Sequence, residues 1–283
     1  MESKKAPIGI FDSGYGGLTV LQEIQNLLPD YDYIYFGDNA RAPYGTRSFE
    51  VVYEYTLEAV KKLFELNCPL IILACNTASA KALRTIQQND LPLLGDTSKR
   101  VLGVIRPCSE IIGEYSKSRH IGILGTNGTV NSNSYKIEIG NFFPDISVTQ
   151  LACPLWVPLV EHDEYHSPQG EALIKQKVEE LIELDNSIDT IVLGCTHYPF
   201  LKEIIERYAG PSIQVIGQGE IVATSLESYL SRHSKMSERL SKLGTTDFYT
   251  TEKPEIFEEK ATRFLSRKIT AKYLTLCFAF TPQ

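Results

Sequence analysis

Apolar positions along the chain fall into short unbroken runs separated by stretches of helical spacing. Ile8-Gly9-Ile10-Phe11, Tyr31 to Asp38 and Leu70-Ile71-Ile72-Leu73 are runs of the length and content that a strand buried on both faces requires. Between them lie two helical stretches. One is Leu18 to Ile24. The other, Ser48 to Leu66, repeats Val52, Tyr55, Leu57, Val60, Leu63 and Phe64 along one face. Val101 to Ile105 predicts a short crossing strand. The pattern restarts at His120 to Leu124 and continues through Val148 to Leu151, a helix over Gln169 to Glu183, and a strand over Asp189 to Leu193. A short strand at Gln214 to Gly217 and a helix at Glu220 to Leu230 follow. Arg232 to Leu243 is polar and predicts a mobile segment. Asp247 to Thr250 and Tyr273 to Phe278 predict late strands on either side of a helix over Glu255 to Leu265.

Strands that alternate with helices pair in parallel. The expected class is therefore α/β, with mainly parallel sheets flanked by helices. The strand at Ile8 is written again at Ile121, and the turn Ala74-Cys75-Asn76-Thr77 answers to Gly194-Cys195-Thr196-His197, at similar separations. This weak internal duplication predicts two pseudo-symmetric domains with an active site in the cleft between them. The first is placed at residues 1–100 plus 212–283, because the late strands are expected to return to it, and the second at 101–211.

Both cysteine turns have one form. An apolar strand ends in Ala or Gly, a cysteine follows, and a helix begins. The unpaired N–H groups of a helix start favour a thiolate or a nearby carboxylate, and a two-base reaction needs one thiol as thiolate while its partner stays protonated. A cysteine at a strand end is ordinarily packing, but two in matching turns beside Asn or Thr are poorly explained that way. Cys68, Cys108, Cys153 and Cys277 sit among apolar residues or beside proline and read as packing. With six cysteines in 283 residues and no C-x-x-C pair, a disulfide framework is not expected. Cys195-x-His197 has no second pair at ligand spacing, so no metal is expected.

A net charge of -7 argues against a nucleic-acid partner, and requires any anionic substrate to be held by local groups. The first apolar run is too short for a signal peptide or a membrane span, which points to a cytoplasmic protein with no membrane partner. Gly14, Gly16 and Gly17 hint at a dinucleotide loop. Thr19, however, occupies the place of the third glycine of that fingerprint, and Asp12 would repel a pyrophosphate.

Ligands of open α/β sheets bind at the carboxyl ends of strands. That rule gathers Asp12, Ser13, Cys75, Asn76 and Thr77 at one mouth, and Thr126, Cys195, Thr196 and His197 at the other. Two thiols on opposite faces of one carbon suit a racemase that needs no cofactor: one sulfur removes a proton and the other returns one to the opposite face. Asp12 and His197 could shuttle those protons. The hydroxyls and amides of Ser13, Asn76, Thr77 and Thr196 could hold carboxylates. A cysteine hydrolase using Cys195 and His197, which would not need Cys75, and a non-catalytic amino-acid-binding protein stay open as rivals.

At these residues the chain resembles the glutamate racemases of the cofactor-independent aspartate/glutamate racemase superfamily. The resemblance runs from Ile8 to about Leu265. It rests on Phe11-Asp12-Ser13-Gly14-Tyr15-Gly16-Gly17-Leu18-Thr19-Val20, Gly37-Asp38 with Pro43-Tyr44-Gly45, Ala74-Cys75-Asn76-Thr77-Ala78-Ser79, Ala152-Cys153-Pro154-Leu155-Trp156-Val157-Pro158-Leu159-Val160-Glu161, and Gly194-Cys195-Thr196-His197-Tyr198-Pro199. It implies interconversion of L- and D-glutamate without a cofactor, feeding D-glutamate to peptidoglycan synthesis. By that similarity Cys75 is the base toward D-glutamate and Cys195 the base toward L-glutamate, assisted by Asp12, Glu161 and His197. It also implies substrate contacts at Asp12, Ser13, Tyr44, Gly45, Asn76, Thr77, Thr196 and His197. A homodimer stays open, as does a related racemase acting on aspartate.

Three positions depart from the family pattern. Gly217-Gln218 stands where Asp and a small residue are usual, and Cys108 stands where Ala is common. Tyr15 replaces an aliphatic residue and is expected to narrow the cleft. The chain as it starts at Met1 lacks the extension of members that a cell-wall precursor activates, so no such activation is expected.

Overall fold

A computed structural model describes residues 5–276 and places ten strands in two sheets, all paired in parallel. The strands are β1 (Ile8–Asp12), β2 (Tyr33–Gly37), β3 (Leu70–Leu73), β4 (Arg100–Gly103), β5 (His120–Gly125), β6 (Ser147–Ala152), β7 (Thr190–Gly194), β8 (Gln214–Ile216), β9 (Thr246–Thr250) and β10 (Ala271–Tyr273). The larger sheet has the order β10-β9-β2-β1-β3-β4 and the smaller the order β6-β5-β7-β8. The central strand β3 is wholly apolar, and β1 and β7 are apolar but for Asp12 at the end of one and Thr190 at the start of the other, because helices cover both faces of their sheets.

The duplication seen in the residues is also a duplication of topology. In each half the first strand lies between the second and the third, with the fourth outside the third. The register carries it to single residues. Ile8 pairs with Leu70, and Cys75 lies five positions beyond Leu70; Ile121 pairs with Thr190, and Cys195 lies five positions beyond Thr190. Strand order reverses between β1 and β3, and again between β5 and β7. These are the points at which open α/β sheets leave a crevice at the strands' carboxyl ends.

The late strands do return to the first half, as β9 against β2 and β10 against β9. The last strand among the described residues is Ala271–Tyr273, earlier than the expected Tyr273 to Phe278; Cys277 and Phe278 lie outside the described residues. β4 pairs with β3 and β8 with β7, so the chain leaves each sheet a few residues beyond the expected boundaries at 100/101 and 211/212. A crossing strand completes its ladder before it departs. The polar stretch 232–243 differs from expectation. It contains a short helix, Ser234–Ser237, buries Met236 and Leu240, and exchanges backbone hydrogen bonds with Ala6 through Arg239 and Ser241. Two apolar anchors thus outweigh a polar composition. Among the described residues no helix is long and apolar enough to cross a membrane.

Candidate active site

The carboxyl end of β1 delivers Asp12, fully buried, whose Oδ2 accepts the N–H of Gly14 at 2.9 Å. The glycine loop that follows is shaped by close approach, not by phosphate. A Cβ on Gly17 would stand 2.5 Å from that of Asp12, and a Cβ on Gly16 would stand 2.3 Å from Thr196 Oγ1 and 2.4 Å from His197 Nδ1. Gly16 therefore lets the second half's cysteine turn lie directly against the first half's loop. Thr196 fixes that contact by donating from Oγ1 to Asp12 Oδ1 at 3.5 Å and accepting at its carbonyl from Thr19 Oγ1 at 3.0 Å.

Cys75 caps the helix Asn76–Lys81. Its sulfur accepts the N–H of Ala78 at 3.4 Å and lies 3.3 Å from Ser13 Oγ. The helix start was expected to favour the thiolate. Burial wins instead and, with the adjacent Asp12 charge, pushes the Cys75 thiol up to about 12 against the pull of Ser13 and the Ala78 N–H. One weak N–H bond from a six-residue helix does not replace the water that the sulfur has lost. Burial likewise raises Asp12, opposed by His197 and the N–H groups of Gly14 and Gly17.

The second thiol has different neighbours. Cys195 follows β7, and its sulfur lies 3.9 Å from His197 Nδ1, while His197 Nε2 is 3.0 Å from Glu161 Oε1. Glu161 ends the helix Trp156–Glu161, which is pinned to the Cys195 turn by Trp156 edge-on to Tyr198 at 5.0 Å. The Tyr198 hydroxyl donates to the carbonyl of Cys153 at 2.8 Å. Burial acts to lower His197, but the hydrogen bonds and charges of Cys195 and Glu161 outweigh it and hold the imidazole up at about 10. Burial raises the partner carboxyl Glu161, yet the bond to His197 and the nearby charges of His197 and Lys260 leave it lowered overall. The contact is part-buried, with the Glu161 side chain 20% exposed, and Phe264 meets the imidazole edge-on at 5.8 Å. The two cysteine turns meet at the end of β1: Thr196, next to Cys195, donates to Asp12, and Cys75 lies against Ser13, the residue after Asp12.

The remaining candidates surround this pair. Thr77 Oγ1 meets Thr126 Oγ1 at 2.9 Å across the halves, and Gly128 N–H donates to the Gly45 carbonyl at 2.8 Å. Tyr44 is buried with its hydroxyl committed to Asp38, so the Tyr44-Gly45 turn offers backbone groups to the cleft in place of a phenol. Tyr15 does not narrow the cleft. Its ring stacks on Phe257 at 5.6 Å and its hydroxyl bonds Glu252. Sequence reasoning gave no role to Asp38, Tyr135 or Gln218, which hold Tyr44 and Asn76 from behind. The visible signals among them were the Gly37-Asp38 motif and the departure at Gly217-Gln218.

Paired thiols at two strand-reversal points, with an acid beside one and a histidine beside the other, define a proton-transfer centre of the amino-acid racemase class. Comparison with known proteins agrees. Residues 8–226 match the family model described as Asp/Glu/Hydantoin racemase, and the chain belongs to that family of isomerases. A glutamate racemase of Shouchella clausii is 40% identical over 261 residues, covering 92% of this chain and 90% of its own. Among solved structures, a glutamate racemase isoform of Bacillus anthracis superposes with a TM-score of 0.88 at 34% identity, covering 96% of this chain and 98% of its own. The glutamate racemase of Francisella tularensis, solved with D-glutamate, gives 0.84 at 30% identity over 98% and 99% of the two chains.

Proposed function

We propose that this chain interconverts L- and D-glutamate by a two-base mechanism, with Cys75 and Cys195 on opposite sides of the α-carbon. The observation that carries the reading is the matched placement of the two sulfurs with unmatched neighbours. Relatives of this length and likeness named glutamate racemase support the choice of substrate. From L-glutamate, a Cys195 thiolate paired with the His197 imidazolium takes the α-proton. The Cys75 thiol gives its proton to the opposite face. D-glutamate leaves, and the enzyme is left with a Cys75 thiolate and a Cys195 thiol. Return to the starting state moves one proton between the sulfurs, through Asp12 and His197 or by a turnover in reverse.

The carbanion at the α-carbon is the costly species. A dry cleft of fixed donors stabilises it without the reorganisation that water would need. Asn76, Thr77, Ser13 and Thr196 supply neutral donors for the two carboxylates, and Asp12 supplies a partner for the ammonium. The product suits a supply of D-glutamate for peptidoglycan. The test is circular dichroism of purified protein given L-glutamate or L-aspartate with no added cofactor. Loss of signal from L-glutamate alone is the expected result. Preference for L-aspartate, or release of ammonia or a hydrolysis product in place of the D-enantiomer, would overturn the reading.

A further inference from the structure

We infer that Gln218 is a positioning residue for Asn76, fixing which face of the Asn76 amide the substrate meets. The inference rests on the reading of Asn76 as a substrate contact. Gln218 is 4% exposed and lies just after β8, where the chain leaves the smaller sheet. It belongs to a closed ring of three buried side chains. Asn76 Nδ2 donates to Gln218 Oε1 at 2.7 Å, Gln218 Nε2 donates to the Tyr135 hydroxyl, and that hydroxyl donates to Asn76 Oδ1 at 2.7 Å.

One outside contact sets the direction of the whole ring. Gln218 Nε2 also donates to the Val104 carbonyl at 3.3 Å, and a carbonyl can only accept. The amide nitrogen of Gln218 must therefore point toward Val104 and Tyr135, and its oxygen toward Asn76. Asn76 must then present Nδ2 to Gln218 and Oδ1 to Tyr135. One N–H of Asn76 Nδ2 is used, and the other remains for a carboxylate. A flipped Asn76 would offer an acceptor where an anion must bind, and would set its Oδ1 against Gln218 Oε1, two groups that can only accept.

The ring also joins the parts that form the cleft. Asn76 starts the helix beside Cys75, Tyr135 belongs to the helix Ser134–Phe142 of the second half, and Val104 follows β4. Both places where the chain passes between sheets thus meet at one amide. Cys108 lies against the same group, so two of the three departures from the family pattern are neighbours in space.

The test is a double-mutant cycle on the full chain, with kcat and KM measured from each glutamate enantiomer. Gln218→Met keeps the length of the side chain and removes both polar atoms. It is expected to raise KM about tenfold, with a smaller change in kcat. Asn76→Ala is expected to cost at least as much, and the double variant no more than Asn76→Ala alone, because Gln218 then has nothing left to orient. A side chain that merely supported the fold would weaken the enzyme by the same factor in both backgrounds. That result, or an unchanged Gln218→Met enzyme beside a crippled Asn76→Ala enzyme, would overturn the inference alone. An unaffected Asn76→Ala enzyme would remove the substrate reading and the inference together. Should Gln218→Met fail to fold, Tyr135→Phe deletes one oxygen from the ring and reads the same coupling to Asn76.

Discussion

The two halves of the molecule share a scaffold and differ in chemistry. Pairing Ile8 with Ile121 and Cys75 with Cys195 makes Gly125 the counterpart of Asp12 and Thr77 the counterpart of His197. The sheets therefore repeat the position of each sulfur, while the two residues that hold protons beside them are not repeated. Around Cys75 stand Asp12 and Ser13, and burial with the Asp12 charge pushes the thiol up to about 12. Around Cys195 stands His197, backed by Glu161, whose bond helps hold the imidazole up at about 10. A symmetric frame suits two enantiomers that differ only by reflection at one carbon. In the two-base reading proposed above, unlike neighbours are what let one sulfur begin as base while the other begins as acid.

Substitutions that erase one side should break this division most strongly. Cys75→Ser and Cys195→Ser are each expected to lower racemisation by about 10⁴-fold, measured as optical rotation from either enantiomer. His197→Asn is expected to cost about 10²- to 10⁴-fold, as does loss of a general acid or base elsewhere. Because L- and D-glutamate are equal in free energy, kcat/KM must fall equally in both directions, so the one-sided effect is read in kcat. Gly16→Ala forces a Cβ to within 2.4 Å of His197 Nδ1 and should separate the halves. An activity loss of about tenfold, with destabilisation of about 1–3 kcal/mol, is expected from chemical denaturation and rate measurements on one preparation.

The smallest effect is on pH dependence. The folded His197 titrates near 10, raised from 6.5, so the stability it contributes is fully present below pH 6.5 and is lost as pH rises through 10. The stability difference between the parent and His197→Asn should therefore shrink between pH 6.5 and 10. A difference that stays constant over that window would place the imidazole outside the ion pair.

Much of this was legible in the residues, for physical reasons. A strand buried on both faces must be largely apolar, so Leu70 to Leu73 and Ile191 to Leu193 mark themselves, and each cysteine just beyond such a run is placed by it. The duplication follows from the same runs. Electrostatics were less legible. The start of a helix at Asn76 suggested an activated thiol, but the outcome depended on how completely the fold removes water, and that is set by residues distant in the chain. Tyr15 was misjudged for a like reason. Nothing near it announces Phe257 and Glu252, which meet it only after β9 has returned to the first sheet. The 232–243 segment shows that two buried apolar residues can hold a stretch whose average composition is polar.

The most direct measurement follows hydrogen at the α-carbon. Each glutamate enantiomer is converted in deuterated water to low extent, and substrate and product are separated and examined by proton NMR. With two sulfurs on opposite faces, the product should carry deuterium from the solvent-exchanged thiol, while recovered substrate keeps its original hydrogen. Product that retains the substrate's own hydrogen, or substrate that exchanges as fast as product forms, would mean that a single base serves both faces.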